Sequence, residues 1–202
     1  MKVEILTHTP NPEILIAKCT STCYDSIPKE LEPARKMIKA IIKSGHESCI
    51  EHASVTFEID GASRVVTHEL VRHRIGFSYS QRSQRYVNEV HPQYVIPDEI
   101  KDNTKAMEIY TNTMNLVWNA YAELQQLGYK NEIARYVLPN SCKTKICFTA
   151  NFRALRNFLK LRCSRRAQPE IRQMAYMMLN KLIEIAPSCF EDLKQEENLQ
   201  NT

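Results

Sequence analysis

The chain has 202 residues, 43% of them hydrophobic and 25% charged, with a formal net charge of +4. That length supports one good-sized core, the composition excludes extended disorder, and the modest charge argues against a surface that tracks nucleic acid. No apolar run approaches the length of a membrane span, and no signal-peptide core follows Met1, so a cytoplasmic protein without a membrane or nucleic-acid partner is expected.

Val3 to Leu6 has the pattern of a strand, and Asn11-Pro12-Glu13 opens a helix with a capping residue, a proline and an acid. A second helix is predicted from Pro28 to Ser44, with Leu31, Met37, Ile38, Ile41 and Ile42 as its apolar stripe and Gly45 as its end. Val55, Phe57 and Ile59 alternate with polar residues as in a strand, and Ser63 can cap a helix running to Arg74. A long amphipathic helix follows from Pro97 to Leu127, stopped by Gly128, then a short one up to Pro139. Lys145 to Phe152 reads as a strand, and helices are predicted near Arg153 to Leu161 and Gln168 to Ile185. The polar end from about residue 194 is expected to fray. The strands lie far apart in sequence and must pair over long range. The fold class expected is α/β of the α+β type, a mixed sheet with several long helices, in a single domain over 1–202.

Seven cysteines are an odd number without a disulfide-scaffold spacing. Reduced, mostly buried thiols are expected, and the Cys19/Cys23 and Cys142/Cys147 pairs lack the two-residue spacing of common zinc knuckles.

Three stretches carry chemistry. Residues Arg72 to Tyr86 combine arginines, a histidine, serines, glutamines and tyrosines with no carboxylate. Arginine presents a planar fork matched to phosphate and carboxylate, and the hydroxyls and amides can orient a ligand that the charges hold. In the preceding helix Arg64, His68 and Arg72 share a face, which is either a surface salt-bridge ladder or the polar side of an element delivering Arg72, His73 and Arg74 to a site. Gly45 to His52 contains two histidines and two glutamates. Their order is not that of a zinc-hydrolase helix, so the alternatives are a metal and hydrogen bonding or stacking against a planar ligand. In the third stretch Arg153, Asn157 and Leu161 share a stripe, with Arg162 and Arg166 on another if the helix continues, while Arg156 and Lys160 are expected as ordinary exposed charges.

Together these residues resemble the flavin-dependent thymidylate synthases, the ThyX family. The resemblance rests on Arg72-His73-Arg74 followed by Ser83-x-Arg85-Tyr86, and on Gly45-His46-Glu47 with Glu51-His52. It continues through Ala134-Arg135-x-Val137-Leu138-Pro139, and through Asn151-x-Arg153-x3-Asn157-Phe158-Leu159-x-Leu161-Arg162 with Ala167-Gln168-x-Glu170-Ile171. Two departures stand out: eight residues, Ile75 to Arg82, precede the serine where the family usually has seven, and Arg166 stands where a histidine is common.

The resemblance implies a ThyX-like fold and reductive methylation of dUMP to dTMP, with FAD as cofactor and methylenetetrahydrofolate and NADPH as co-substrates. It implies FAD contacts from His52, Arg72, His73, Arg74, Asn151, Arg153, Asn157 and Leu161, and dUMP contacts from Glu69, Gln81, Ser83, Arg85, Arg135 and Arg162. Arg162 is the expected stabiliser of charge on the pyrimidine, with no protein nucleophile and no metal. A homotetramer with shared sites is implied as well, and Met107, Tyr110, Met114, Val117, Trp118 and Tyr121 of the long helix read as spare apolar surface for it. The rival reading is a non-catalytic RNA- or phosphate-binding module built on the same arginines.

Overall fold

The structure, a computed structural model, describes residues 1–23 and 30–200, with side chains through 194. Four strands form one sheet in the order β1-β2-β4-β3: β1 Lys2–His8, β2 Ser54–Ser63, β3 Phe77–Gln81 and β4 Lys143–Asn151. Thr9 N bonds Ser54 O, Thr56 faces Thr149, Arg82 N bonds Lys145 O and Asn151 N bonds Gly76 O. Rising numbers on one strand thus meet falling numbers on its neighbour, so the sheet is antiparallel at every pairing where a mixed one was expected. The α+β class itself is as expected from the sequence.

The chain folds into two compact units interleaved in sequence: 1–2, 59–69 and 80–146 in the first, and 3–58, 70–79 and 147–202 in the second. In the first unit, Val66 N bonds the Ser63 hydroxyl at 3.2 Å, the cap expected for the helix α3 Arg64–Leu70. That helix ends four residues before Arg74. The predicted Pro97-to-Leu127 helix is two helices, α4 Asp98–Lys101 and α5 Thr104–Gln126, because the Asn103 side chain accepts from Ala106 N and starts a new helix there. Gly128 ends α5 as predicted, with Tyr129 N closing back on Leu124 O. The residues read as spare apolar surface on α5 mostly face inward. Met114, Trp118 and Tyr121 are buried, and Tyr110 and Val117 pack on the cluster formed by Met114, Trp118 and Cys142. The exposed apolar residues of α5 are Ile109 and Leu116. The short predicted helix before Pro139 is α6 Asn131–Ala134 followed by a 3-10 turn, Arg135–Val137.

The second unit holds α1 Pro12–Ser21, α2 Leu31–Lys43, a 3-10 segment Glu47–His52, and helices α7 Phe152–Arg162, α8 Pro169–Ile185 and α9 Pro187–Gln200. The predicted start of α2 at Pro28 lies outside the described residues. Asn11 precedes α1 in the left-handed region, at φ 44°, without a side-chain cap. The strand β3, the 3-10 segment and α9 carry no clear sequence period. Helix α9 runs to Gln200, across the end expected to fray. Its start is held by buried Glu13, which accepts from Ser188 N at 2.9 Å and pairs with Arg35 at 2.8 Å, a carboxylate at a helix N-terminus. All seven cysteines are free thiols; only Cys142 and Cys189 are buried, fewer than expected.

Arg156 overturns the expectation of an exposed charge. Its side chain is 1% exposed, forked onto both Asp192 oxygens at 2.6 and 2.7 Å, 3.3 Å from Glu47, and donating to the Cys189 carbonyl. Burial works against its charge, but Asp192 and Glu47 outweigh it and the guanidinium pKa lies above its ordinary value. Burial would likewise raise Asp192, yet Arg156 and backbone donors hold that carboxyl below its usual range. Removing Asp192 strands the enclosed guanidinium, and removing Arg156 leaves a void beside the Asp192 and Glu47 carboxylates. Arg156→Ala is therefore expected to cost about 3–5 kcal/mol in a denaturant titration, whereas Lys160→Ala, at the exposed 3.3 Å pair with Glu47, stays within about 0.5 kcal/mol. Because the folded-state pKa of Asp192 is depressed, its contribution is present above the unfolded value near 4 and is lost as pH falls through the folded one. Asp192→Asn should lower stability at pH 7 and flatten the acid limb of the stability–pH curve.

Candidate active site

The cleft lies within the second unit. After Leu70 the chain makes a turn, His73 N to Leu70 O at 3.1 Å and Phe77 N to Arg74 O at 3.4 Å, and then enters β3. Gly76 makes this possible. At φ +75° it bonds Asn151 N through its carbonyl, and a Cβ there would sit 2.8 Å from both the Asn151 amide nitrogen and the Ala154 methyl. The Tyr79 hydroxyl fastens the turn from below, lying 2.9 Å from Leu70 O and 2.6 Å from His73 O. Burial raises the Tyr79 pKa, so the hydroxyl remains a donor.

Between this turn and α7 is a cavity of about 460 Å³ lined by Arg72, His73, Arg74, Ile75, Phe77, Ala154, Asn157, Leu161 and Arg162. Its floor is aromatic: Phe77 stacks on Tyr79 at 5.7 Å, and His73 meets Phe158 edge-on at 5.0 Å. Its rim is cationic, with Arg72 and Arg74 exposed. Ile75 is 94% exposed and Leu161 55%, an apolar surface beside the charges. Arg162 Nε donates to His73 Nε2 at 3.0 Å. Burial, and secondarily the Arg162 charge, lower the His73 pKa to about 4, so the ring is neutral at pH 7. Exposed arginines beside uncovered apolar surface suit a ligand that is flat and apolar at one end and anionic at the other.

A family model described as thymidylate synthase complementing protein matches residues 4–188. The flavin-dependent thymidylate synthase of Clostridium tetani is 42% identical, covering 95% of this chain and 86% of its own. That of Geobacter sulfurreducens is 41% identical with the same coverage. The chain belongs to the flavin-dependent thymidylate synthase family. Among solved structures, a UMP/dUMP methylase, PolB from Streptomyces cacaoi, crystallised with 5-Br dUMP, matches at a TM-score of 0.85 and 25% identity, over 96% of this chain and 94% of that one.

Of the FAD residues implied by the family, the cleft brings together Arg72, His73, Arg74, Asn157 and Leu161, with Arg162 beside them. Asn151, Arg153 and His52 belong to the same unit but do not line it. Asn151 caps α7, its side-chain oxygen accepting from Ala154 N at 2.8 Å. Arg153 pairs with Glu51 at 2.6 Å. His52 is exposed at the end of the 3-10 segment. Helix α7 ends at Arg162, so Arg166 does not continue its stripe.

The dUMP residues other than Arg162 lie in the first unit. Gln81 donates to Thr67 at 3.0 Å and Thr144 at 3.3 Å; the Ser83 hydroxyl accepts from Arg85 N; Arg85 pairs with Glu132 at 2.7 Å and sits over the Tyr86 ring. Arg135 and Glu69 are half-buried. Sequence patterning leaves Arg64 either in a surface salt-bridge ladder or on the polar side of an element serving the site; its Nη1 is buried without a hydrogen-bond partner and burial lowers its pKa. An orphaned buried guanidinium donor is costly until an acceptor reaches it, which makes Arg64 a functional candidate. Only its place before an apolar run in a polar stretch hinted at this.

Gly76→Ala should cost about 1–3 kcal/mol of backbone strain plus its steric clash, and should displace the cleft wall. Gly45→Ala has a similar φ of +79° with nothing within 4 Å, and serves as the comparison. Denaturant midpoints and ligand retention should both fall further for Gly76→Ala than for Gly45→Ala.

Proposed function

We propose that this protein methylates dUMP to dTMP, taking the carbon from methylenetetrahydrofolate and reducing equivalents from NADPH through bound FAD. The observation that carries this is the cleft: two exposed arginines, uncovered apolar surface and a neutral histidine hydrogen-bonded to an arginine, in a chain of this family. The residues fit the cofactor. Arg72 and Arg74 suit the pyrophosphate, while Phe77, Ile75 and Leu161 suit a flat ring system. FAD would supply the redox chemistry; the chain's own residues bind, orient and polarise. Arg162 acts on the pyrimidine as a fixed positive charge where negative charge develops. His52, Asn151, Arg153 and Asn157 complete the flavin set, and Glu69, Gln81, Ser83, Arg85 and Arg135 the nucleotide set. Arg64, with its unmet donor, joins the nucleotide set as an acceptor-seeking cation.

The synthase domain is taken as single over 1–202, the family match running through residues of both units. A homotetramer with shared sites is part of the proposal, and the exposed Ile109 and Leu116 on α5 support an apolar contact. A reducing, cytoplasmic setting accords with seven free thiols, and no described helix is long and apolar enough to cross a membrane. The RNA- or phosphate-binding alternative is not favoured by the relatives, which are named as synthases.

Purified protein should bind FAD, visible near its yellow absorption band, and form dTMP from dUMP when supplied with folate and NADPH. Protein that binds inorganic phosphate or RNA but neither flavin nor dUMP would instead be the binding module. Replacing Arg72 and Arg74 together by alanine should strip FAD while preserving circular dichroism. Arg162→Lys should keep FAD and lose about a hundredfold in turnover, roughly 3 kcal/mol, because an ammonium cannot reproduce the planar fork.

A further inference from the structure

We propose that His73 is a positioning residue for Arg162, its unprotonated Nε2 accepting from Arg162 Nε and helping to orient the guanidinium at the cleft. The proton logic follows from the donor. An arginine Nε always carries its hydrogen, so at 3.0 Å the imidazole nitrogen facing it must present a lone pair. The neutral ring is therefore the tautomer with its proton on Nδ1. An imidazolium has no lone pair to offer and would place a second positive charge against the guanidinium.

The ring itself is held. Phe158 meets it edge-on at 5.0 Å and 75°, Phe77 lies at 6.0 Å, and the Tyr79 hydroxyl approaches the His73 carbonyl at 2.6 Å. The turn that places His73 depends on Gly76, so the acceptor is fixed by the backbone and by packing. Arg162 is the last residue of α7, and its Nε reaches the ring of His73 in the turn. The hydrogen bond at Nε is one restraint on the orientation of the planar group, since the guanidinium cannot bend. The half-buried setting also lowers the ring's proton affinity, which keeps the lone pair available at neutral pH.

This inference rests on the proposed function for its kinetic consequence alone; the pairing is read without turnover. In protein labelled with 15N at histidine only, a long-range 1H–15N correlation at pH 7 should show one ring with Nδ1 protonated and Nε2 bare, its signals absent from His73→Gln. Arg162→Gln should abolish that fixed pattern. An imidazolium, or a proton on Nε2, would overturn the proposal. In kinetics at saturating FAD, His73→Leu removes the acceptor at similar size and should lower dTMP turnover about tenfold, the worth of one positioned hydrogen bond. His73→Gln restores an acceptor oxygen and should remain within about threefold of wild type. Equal losses in the two variants would also overturn it. Should His73→Leu fail to fold, the spectra of wild type and Arg162→Gln still decide. Wild-type protein that shows the tautomer but forms no dTMP would refute the proposed function and leave the pairing supported.

Discussion

The second unit depends on one buried cation. Arg156 is fully enclosed, and an enclosed guanidinium is tolerable only when its donors are met. Two separate parts of the chain meet them: the 3-10 segment through Glu47, and α9 through both Asp192 and the Cys189 carbonyl. The geometry of each part is thus set by the same planar group. Helix α7, which carries Arg156 near its middle, carries Asn157, Leu161 and Arg162 into the cleft from its next two turns. A rigid base under α7 is what makes a placed Arg162 possible.

Charge in the cleft is arranged to avoid stacking positive groups. Arg72 and Arg74 stand on the exposed rim, where water and any anion can screen them, while His73 between them turns inward as a neutral acceptor. All three line the same cavity, and they differ in exposure: the two arginines are exposed and the histidine is half-buried. A histidine suits the inward position because its ring nitrogen can accept from arginine while the ring packs edge-on with Phe158.

Much of the fold was legible because periodicity and caps are local. The Ser63 cap, the Gly128 stop and the strand at Val55 to Ile59 appear where the sequence places them. What was not legible depends on partners distant in sequence. Strand β3 lies within a run of polar and aromatic residues and becomes a strand only by pairing with β4, as Arg82 N does with Lys145 O. Arg156 looks like any charge on an amphipathic helix, and only the arrival of Asp192, 36 residues on, makes it a core residue. The cleft was read through motif order more than through chemistry. Arginines in a row mark an anion site, but no local pattern tells which of them faces a ligand.

Arg153 and Arg156, three positions apart on α7, show how burial decides what a charge can do. Both hold a carboxylate at 2.6 Å. The Arg153–Glu51 pair is about half exposed on each side, so water competes for it and its net worth is about 0–1 kcal/mol. An anionic ligand can therefore take Arg153 from Glu51 at little cost, with Glu51 returning to solvent. The Arg156 pair cannot be exchanged this way, because the guanidinium is enclosed and has no water to return to, although Asp192 is partly exposed. One helix thus supplies a fixed anchor on its buried face and an exchangeable cation one turn away, and the proposed flavin role of Arg153 requires only the second.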